Sequence, residues 1–180
     1  MVPQGHGAVQ IPTFPNARYL VSRTEYDHFT RPEFTGERRQ IFTDSLKPIL
    51  DHKLLELLNV PAKGFDVSPD IRLVSTPGHT PGHVSVELTS AGKVAMISGD
   101  VLHHPIQLAH SEWNCNFDAD AEQAVSTRRI FLDKLADSDT LIIGTHFPAP
   151  TVGWIRRDGD TYRFQAAQEQ GWKTAGDGCS

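Results

Sequence analysis

Residues 75–88, STPGHTPGHVSVEL, set His79 and His83 four positions apart in a turn rich in proline and glycine, which then runs straight into an alternating apolar segment. Val84, Val86 and Leu88 alternate with more polar neighbours, the two-residue period of a strand with one buried face. Working outward, IRLVS (71–75) and KVAMIS (93–98) also read as strands, and TSAGK joins the second of these to HVSVEL as a hairpin. TLIIGTH (140–146) is a continuous apolar run of the kind a buried strand carries, and it ends in a histidine. Strands alternating with helical stretches predict an α/β fold.

The clearest helix is DADAEQAVSTRRIFLDKLAD (118–137), with Asp118 or Asp120 as N-cap and Ala124, Ile130, Phe131 and Leu135 on its inward face. In ERRQIFTDSLKPILDHKLLELL (37–58), apolar residues recur mostly at three- and four-residue intervals, which predicts a helix broken near Lys47 by Pro48. Upstream, ARYLVS (17–22) reads as a short strand leading into a helical EYDHF that Ser22 or Thr24 caps. PAKGFDVSPD (61–70) reads as loop, VGWIRRDGDTYRFQ (152–165) as a hairpin turning at Asp158-Gly159, and the tail from Glu169 as frayed. No repeat or linker divides the chain, so 1–180 is expected to be a single domain.

Composition narrows the function. A chain of 180 residues is long enough for one proper core. The net charge of -5, with no run of Lys or Arg, offers no electrostatic footprint for nucleic acid or an anionic membrane, so the expected partner is a small-molecule substrate. No segment approaches the ~18 apolar residues of a membrane span, and the first twenty residues lack the pattern of an export signal, so a cytoplasmic location is expected. Cys115 and Cys179 have no C-x-x-C spacing, which argues against a disulfide framework or a cysteine zinc site and leaves Cys115 a plain thiol.

Three chemically capable groups sit where predicted strands stop: His79 after IRLVSTPG, Asp100 after VAMISG and His146 after LIIGT. Strand ends in a layered α/β protein gather at one sheet edge, so these side chains can meet around one point. Two imidazoles and a carboxylate suit zinc, iron or manganese. Gly78 and Gly99 immediately precede His79 and Asp100, where a residue without Cβ allows the sharp turn that aims the next side chain.

Other residues carry competing readings. His83 opens a strand, so it either hydrogen-bonds the loop or supports a metal ligand from behind. His103, His104 and Gln107 in DVLHHPIQ follow Asp100 closely enough to line a substrate pocket, or lie in a solvated loop. Trp113, Phe117, Phe147 and Trp154 serve as pocket walls or as core. His6, His28, His52 and His110 are expected at the surface.

The stretches TPGHTPGH (76–83), SGD (98–100) and GTHFP (144–148) resemble, in order and approximate spacing, the later motifs of the metallo-β-lactamase superfamily. FPNARYLVSRTEYDHF, DVLHHPIQ and FDADAEQAVSTRRIFLDKLAD look like its methyl-parathion-hydrolase-like and lactonase-like branch. The resemblance implies an αββα sandwich and a zinc-dependent hydrolase that opens an ester, lactone or phosphotriester through metal-bound hydroxide. It implies His79 as a ligand of a first metal, Asp100 as the catalytic carboxylate bridging two ions, and His146 as a ligand of the second. The family's upstream H-x-H-x-D-H motif does not occur in this sequence, so the chain resembles an N-terminally shortened member whose sandwich is incomplete in its N-terminal half. Intact relatives hold two zinc ions; this chain is expected to hold one weakly or none. The alternative is a non-catalytic binding or self-assembly module, forming a homodimer through the apolar face that the absent strands would have covered.

Overall fold

The computed structural model describes residues 10–167; His6, Cys179 and the tail from Glu169 lie outside the described residues. The chain divides into two compact units, Met1–Asn59 and Val60–Ser180.

In the first unit, β1 (Tyr19–Ser22) leads directly into α1 (Arg23–Phe29), and Ser22 stands at the N-cap without a side-chain capping bond. Next come α2 (Gly36–Ile41), a π-helical turn (Phe42–Leu46) and α3 (Lys47–Asp51). Pro48 sits in the first turn of α3, where a missing N–H costs little, so the expected interruption takes the form of a widened turn followed by a fresh helix start. The helix does not continue through the leucines as expected. Lys53 adopts φ 58, and Leu55–Leu58 forms β2, pairing in parallel with β1 from Tyr19↔Leu55 to Ser22↔Leu58. A short leucine run fits strand or helix equally by period, and here the long-range pairing decided. His28 was expected at the surface, yet it is only 7% exposed and packs edge-on against Phe29 and Phe34.

The second unit is built on a seven-stranded sheet with strands in sequence order. It comprises β3 (Phe65–Ser68), β4 (Ile71–Ser75), β5 (Val84–Ser90), β6 (Lys93–Ile97), β7 (Leu141–Ile143), β8 (Val152–Asp158) and β9 (Thr161–Ala166). The segment expected as loop therefore contributes β3, which folds back on β4 across Pro69-Asp70 with an irregular register between Asp66 and Ser68. β5 and β6 form the predicted hairpin: Ser90 pairs with Lys93, and Ala91 and Gly92 both take positive φ, the twist a two-residue hairpin requires. β8 and β9 close as predicted next to Gly159.

Among the described residues of this sheet only β6 and β7 run parallel, and a parallel pair needs a crossover. The crossover contains α4 (Ile106–Ala109) and α5 (Ala121–Leu135). Asp120 caps α5, its Oδ1 accepting from Gln123 N at 2.9 Å. Phe131, Leu132 and Leu135 of α5 join Met96, Leu102, Leu108, Ile142, Phe147 and Ile155 in one apolar core. Ile130, expected to face inward, is 66% exposed; the buried positions of α5 are Ala124, Arg128, Phe131, Leu132 and Leu135, a stripe of three- and four-residue steps that Ile130 misses. No helix among the described residues is long and apolar enough to cross a membrane.

Candidate functional site

His79, Asp100 and His146 converge. Asp100 stands between the two imidazoles, with Oδ1 2.7 Å from His146 Nε2 and Oδ2 3.4 Å from His79 Nε2. His79 lies in the loop after β4 and Asp100 in the 3-10 turn (Gly99–Val101) after β6. His146 lies in the turn beyond β7, which is shorter than expected and ends at Ile143. The histidine thus stands past the strand rather than in it, and its side chain is 46% exposed.

Two close approaches place these groups. Gly78 has φ +139, and a Cβ there would come within 2.5 Å of the Ala124 backbone, so the His79 loop can lie flat on α5 only with glycine at this position. The loop is also tied to the start of the helix, where Ala119 N donates to His79 O at 2.9 Å and Asp120 N donates to Gly78 O at 3.0 Å. Gly99 has φ +56, and a Cβ there would meet His83 Nε2 at 2.6 Å. Behind both loops, Thr76 Oγ1 lies 3.2 Å from Ser85 Oγ, and Ser85 Oγ donates to Ser98 O at 2.9 Å, linking β4, β5 and the end of β6 through buried hydroxyls.

His83 has the supporting position. Its Nε2 accepts from Asp100 N at 2.8 Å, so Nδ1 carries the proton and can donate to Thr76 O at 3.0 Å. Burial pushes this imidazole below its ordinary range, ahead of the opposing pull of Asp100, and the neutral form is the one that can accept from the Asp100 amide. Burial by itself would raise the Asp100 carboxyl, but the His146 hydrogen bond and the neighbouring His79, His83 and His146 hold it below its usual value, so it is an anion at neutral pH.

Asp118 is the partner that sequence reasoning missed. Its Oδ1 lies 2.9 Å from His79 Nδ1, its Oδ2 accepts from Cys115 N at 2.9 Å, and its side chain is 1% exposed. A carboxylate on Nδ1 fixes the imidazole's tautomer and turns Nε2 toward Asp100. The run NFDAD before the helix was legible only as a source of caps; the structure divides the two tasks, with Asp120 capping and Asp118 gripping the histidine. Arg128 underpins this corner from α5: buried, it donates to the carbonyls of Val101, Ser111 and Trp113, and its Nη2 lies 3.8 Å from Asp118 Oδ2.

Of the pair after Asp100, His103 reaches the site and His104 does not. The His103 ring stacks on His146 with centroids 5.1 Å apart and lies 4.9 Å from the His79 ring. Gln107 holds its loop, Oε1 accepting from His103 N at 2.7 Å. His104 is exposed and its Nδ1 accepts from Ile106 N at 3.1 Å, a local turn contact on the solvent side of this loop. Nor do the aromatics wall a pocket as a group: Phe147 is core, Trp113 and Phe117 are exposed, and Trp154 borders an apolar depression with Leu88, Val94 and Leu141.

Two sets of three ligand atoms lie within 4.8 Å of one another, His79 with His103 and Asp118, and Asp100 with His103 and His146. Carboxylate and imidazole donors at this spacing fit a divalent transition metal such as zinc.

No family model matches the chain. N-acyl homoserine lactonase AiiA of Bacillus thuringiensis subsp. kurstaki is 32% identical over 94 residues, which make up 51% of this chain and 31% of that relative. Hydrolase AbOPH, of the beta lactamase superfamily, aligns with a TM-score of 0.71 at 24% identity, covering 84% of this chain and 55% of its own. AidC, a dizinc quorum-quenching lactonase solved with the product N-hexnoyl-L-homoserine, aligns at 0.68 and 23% identity with the same coverage. The match therefore spans less than a third of the curated relative and about half of each solved chain. Over those 94 residues the chain is similar to a lactonase of Bacillus, and its α/β fold is the one these metallo-β-lactamase-type hydrolases share.

Proposed function

We propose that this chain contributes to a metal-dependent hydrolase that opens lactones, with zinc held between His79, Asp100 and His146. The observation that carries this reading is the Asp100 carboxylate with one imidazole against each of its oxygens. The relatives support the substrate class, one being an N-acyl homoserine lactonase and another a dizinc lactonase with its opened product. We further propose that both units belong to one domain, since each of these structural matches runs over 84% of the chain.

Bound zinc would supply Lewis acidity toward the substrate carbonyl and toward water. The chain's own residues hold and orient. Asp100 offers negative charge on two sides, His83 fixes its backbone from behind, and Asp118 keeps His79 Nδ1 occupied, which leaves Nε2, on the Asp100 side, as the atom that would bind a cation. The test is ring opening of N-hexanoyl-L-homoserine lactone, followed by chromatography of the product. Turnover that is lost with EDTA, restored by zinc and abolished in Asp100→Asn is expected; no turnover at any zinc concentration overturns the reading.

A second reading, self-association without catalysis, has its own support. Leu73, Val86, Ile97, Ile143 and Val152 pair in succession across β4 to β8, forming a half-buried apolar row on one sheet face. Sedimentation of a stable homodimer that lacks zinc and turnover would favour it.

A further inference from the structure

We propose that His103 is itself a metal ligand, adding a third imidazole to the site of His79, Asp100 and His146. This assignment rests on the metal-dependent reading above and deepens it. His103 is the one residue common to both sets of ligand atoms, and its Nδ1 is buried with no hydrogen-bond partner among the described residues. Buried ring nitrogens are ordinarily satisfied, and one left without a partner among several ligand groups points to an ion.

The two sets are not equal. Both oxygens of Asp118 are already committed, to His79 Nδ1 and to the Cys115 amide, inside a corner that Arg128 makes positive. Asp100 is a third exposed at its side chain and its oxygens face only imidazoles, so the cation belongs on that side. The His103 and His146 rings stack at an interplanar angle of 14° without bonding each other, beside that carboxylate. Asp100 and His103 both follow β6, so one loop supplies two of the ligands, while the loop after β4 supplies His79 and the turn after β7 supplies His146.

The test is competition of zinc against a chromophoric chelator, together with cobalt substitution read by visible absorption, on the full chain and on His103→Ala, His103→Gln, His146→Ala and His52→Ala. Circular dichroism establishes that each variant is folded. Expected are one zinc per chain, affinity at least about 10-fold weaker and an altered cobalt band in both His103 variants and in His146→Ala, and no change in His52→Ala. Parent-like zinc affinity and spectrum in the His103 variants, with binding lost in His146→Ala, overturn this inference and leave the hydrolase reading standing. A parent chain that binds neither zinc nor cobalt overturns both.

Discussion

Replacing Asp118 with asparagine separates the stability of the site's buried corner from its use. The carboxylate serves two donors at once, His79 Nδ1 and Cys115 N, each at 2.9 Å. Asparagine keeps the shape but has one acceptor oxygen, so its amide nitrogen must face one of those donors. A buried donor left facing another donor costs about 1–3 kcal/mol, and the lost charge beside Arg128 acts in the same direction. At about 2 kcal/mol, a chain of this length loses about 4–8 °C of melting temperature. If the amide turns toward His79, the imidazole loses the partner that holds its tautomer, and zinc affinity falls by about 10- to 100-fold. Calorimetry in EDTA reads the first effect and chelator competition the second. An unchanged melting temperature would refute the buried pairing itself, and unchanged zinc affinity in Asp118→Ala, which leaves His79 Nδ1 without its acceptor, would refute the claim that Asp118 orients a ligand.

The remaining predictions concern backbone fit and helix phase. Gly99→Ala forces a side chain into positive φ and against His83 Nε2, so urea denaturation should show a loss of about 1–3 kcal/mol, with weaker zinc binding because the Asp100 amide loses its acceptor. Ile130→Lys should stay within about 0.5 kcal/mol of the parent in the same assay, since the residue faces solvent; a loss of several times that would restore Ile130 to the inward face.

Much of the second unit was legible because its signals are local. The alternation in VSVEL, the Ala91-Gly92 turn and the bulk of α5 each lie within one element, so the β5–β6 hairpin and the long helix follow from short-range geometry, whereas β3 was expected as loop and β7 ends at Ile143, three residues earlier than expected. The first unit was read less well. Leucines 54, 55, 57 and 58 fit either period, and their assignment to a strand depended on pairing with Tyr19–Ser22, more than thirty residues away in sequence.

The candidate site divides along the same line. Amino-acid order alone determined that His79, Asp100 and His146 follow strands, with glycines before the first two, because chain reversal after a strand carries its own local signature. Tertiary packing decided that Asp118 grips His79, that His103 turns inward while His104 turns out, and that an arginine rather than Ile130 faces the core from α5. Those outcomes turn on which buried donors and acceptors find partners across distant segments, and such pairing becomes defined only when the segments are brought together and water is removed from between them.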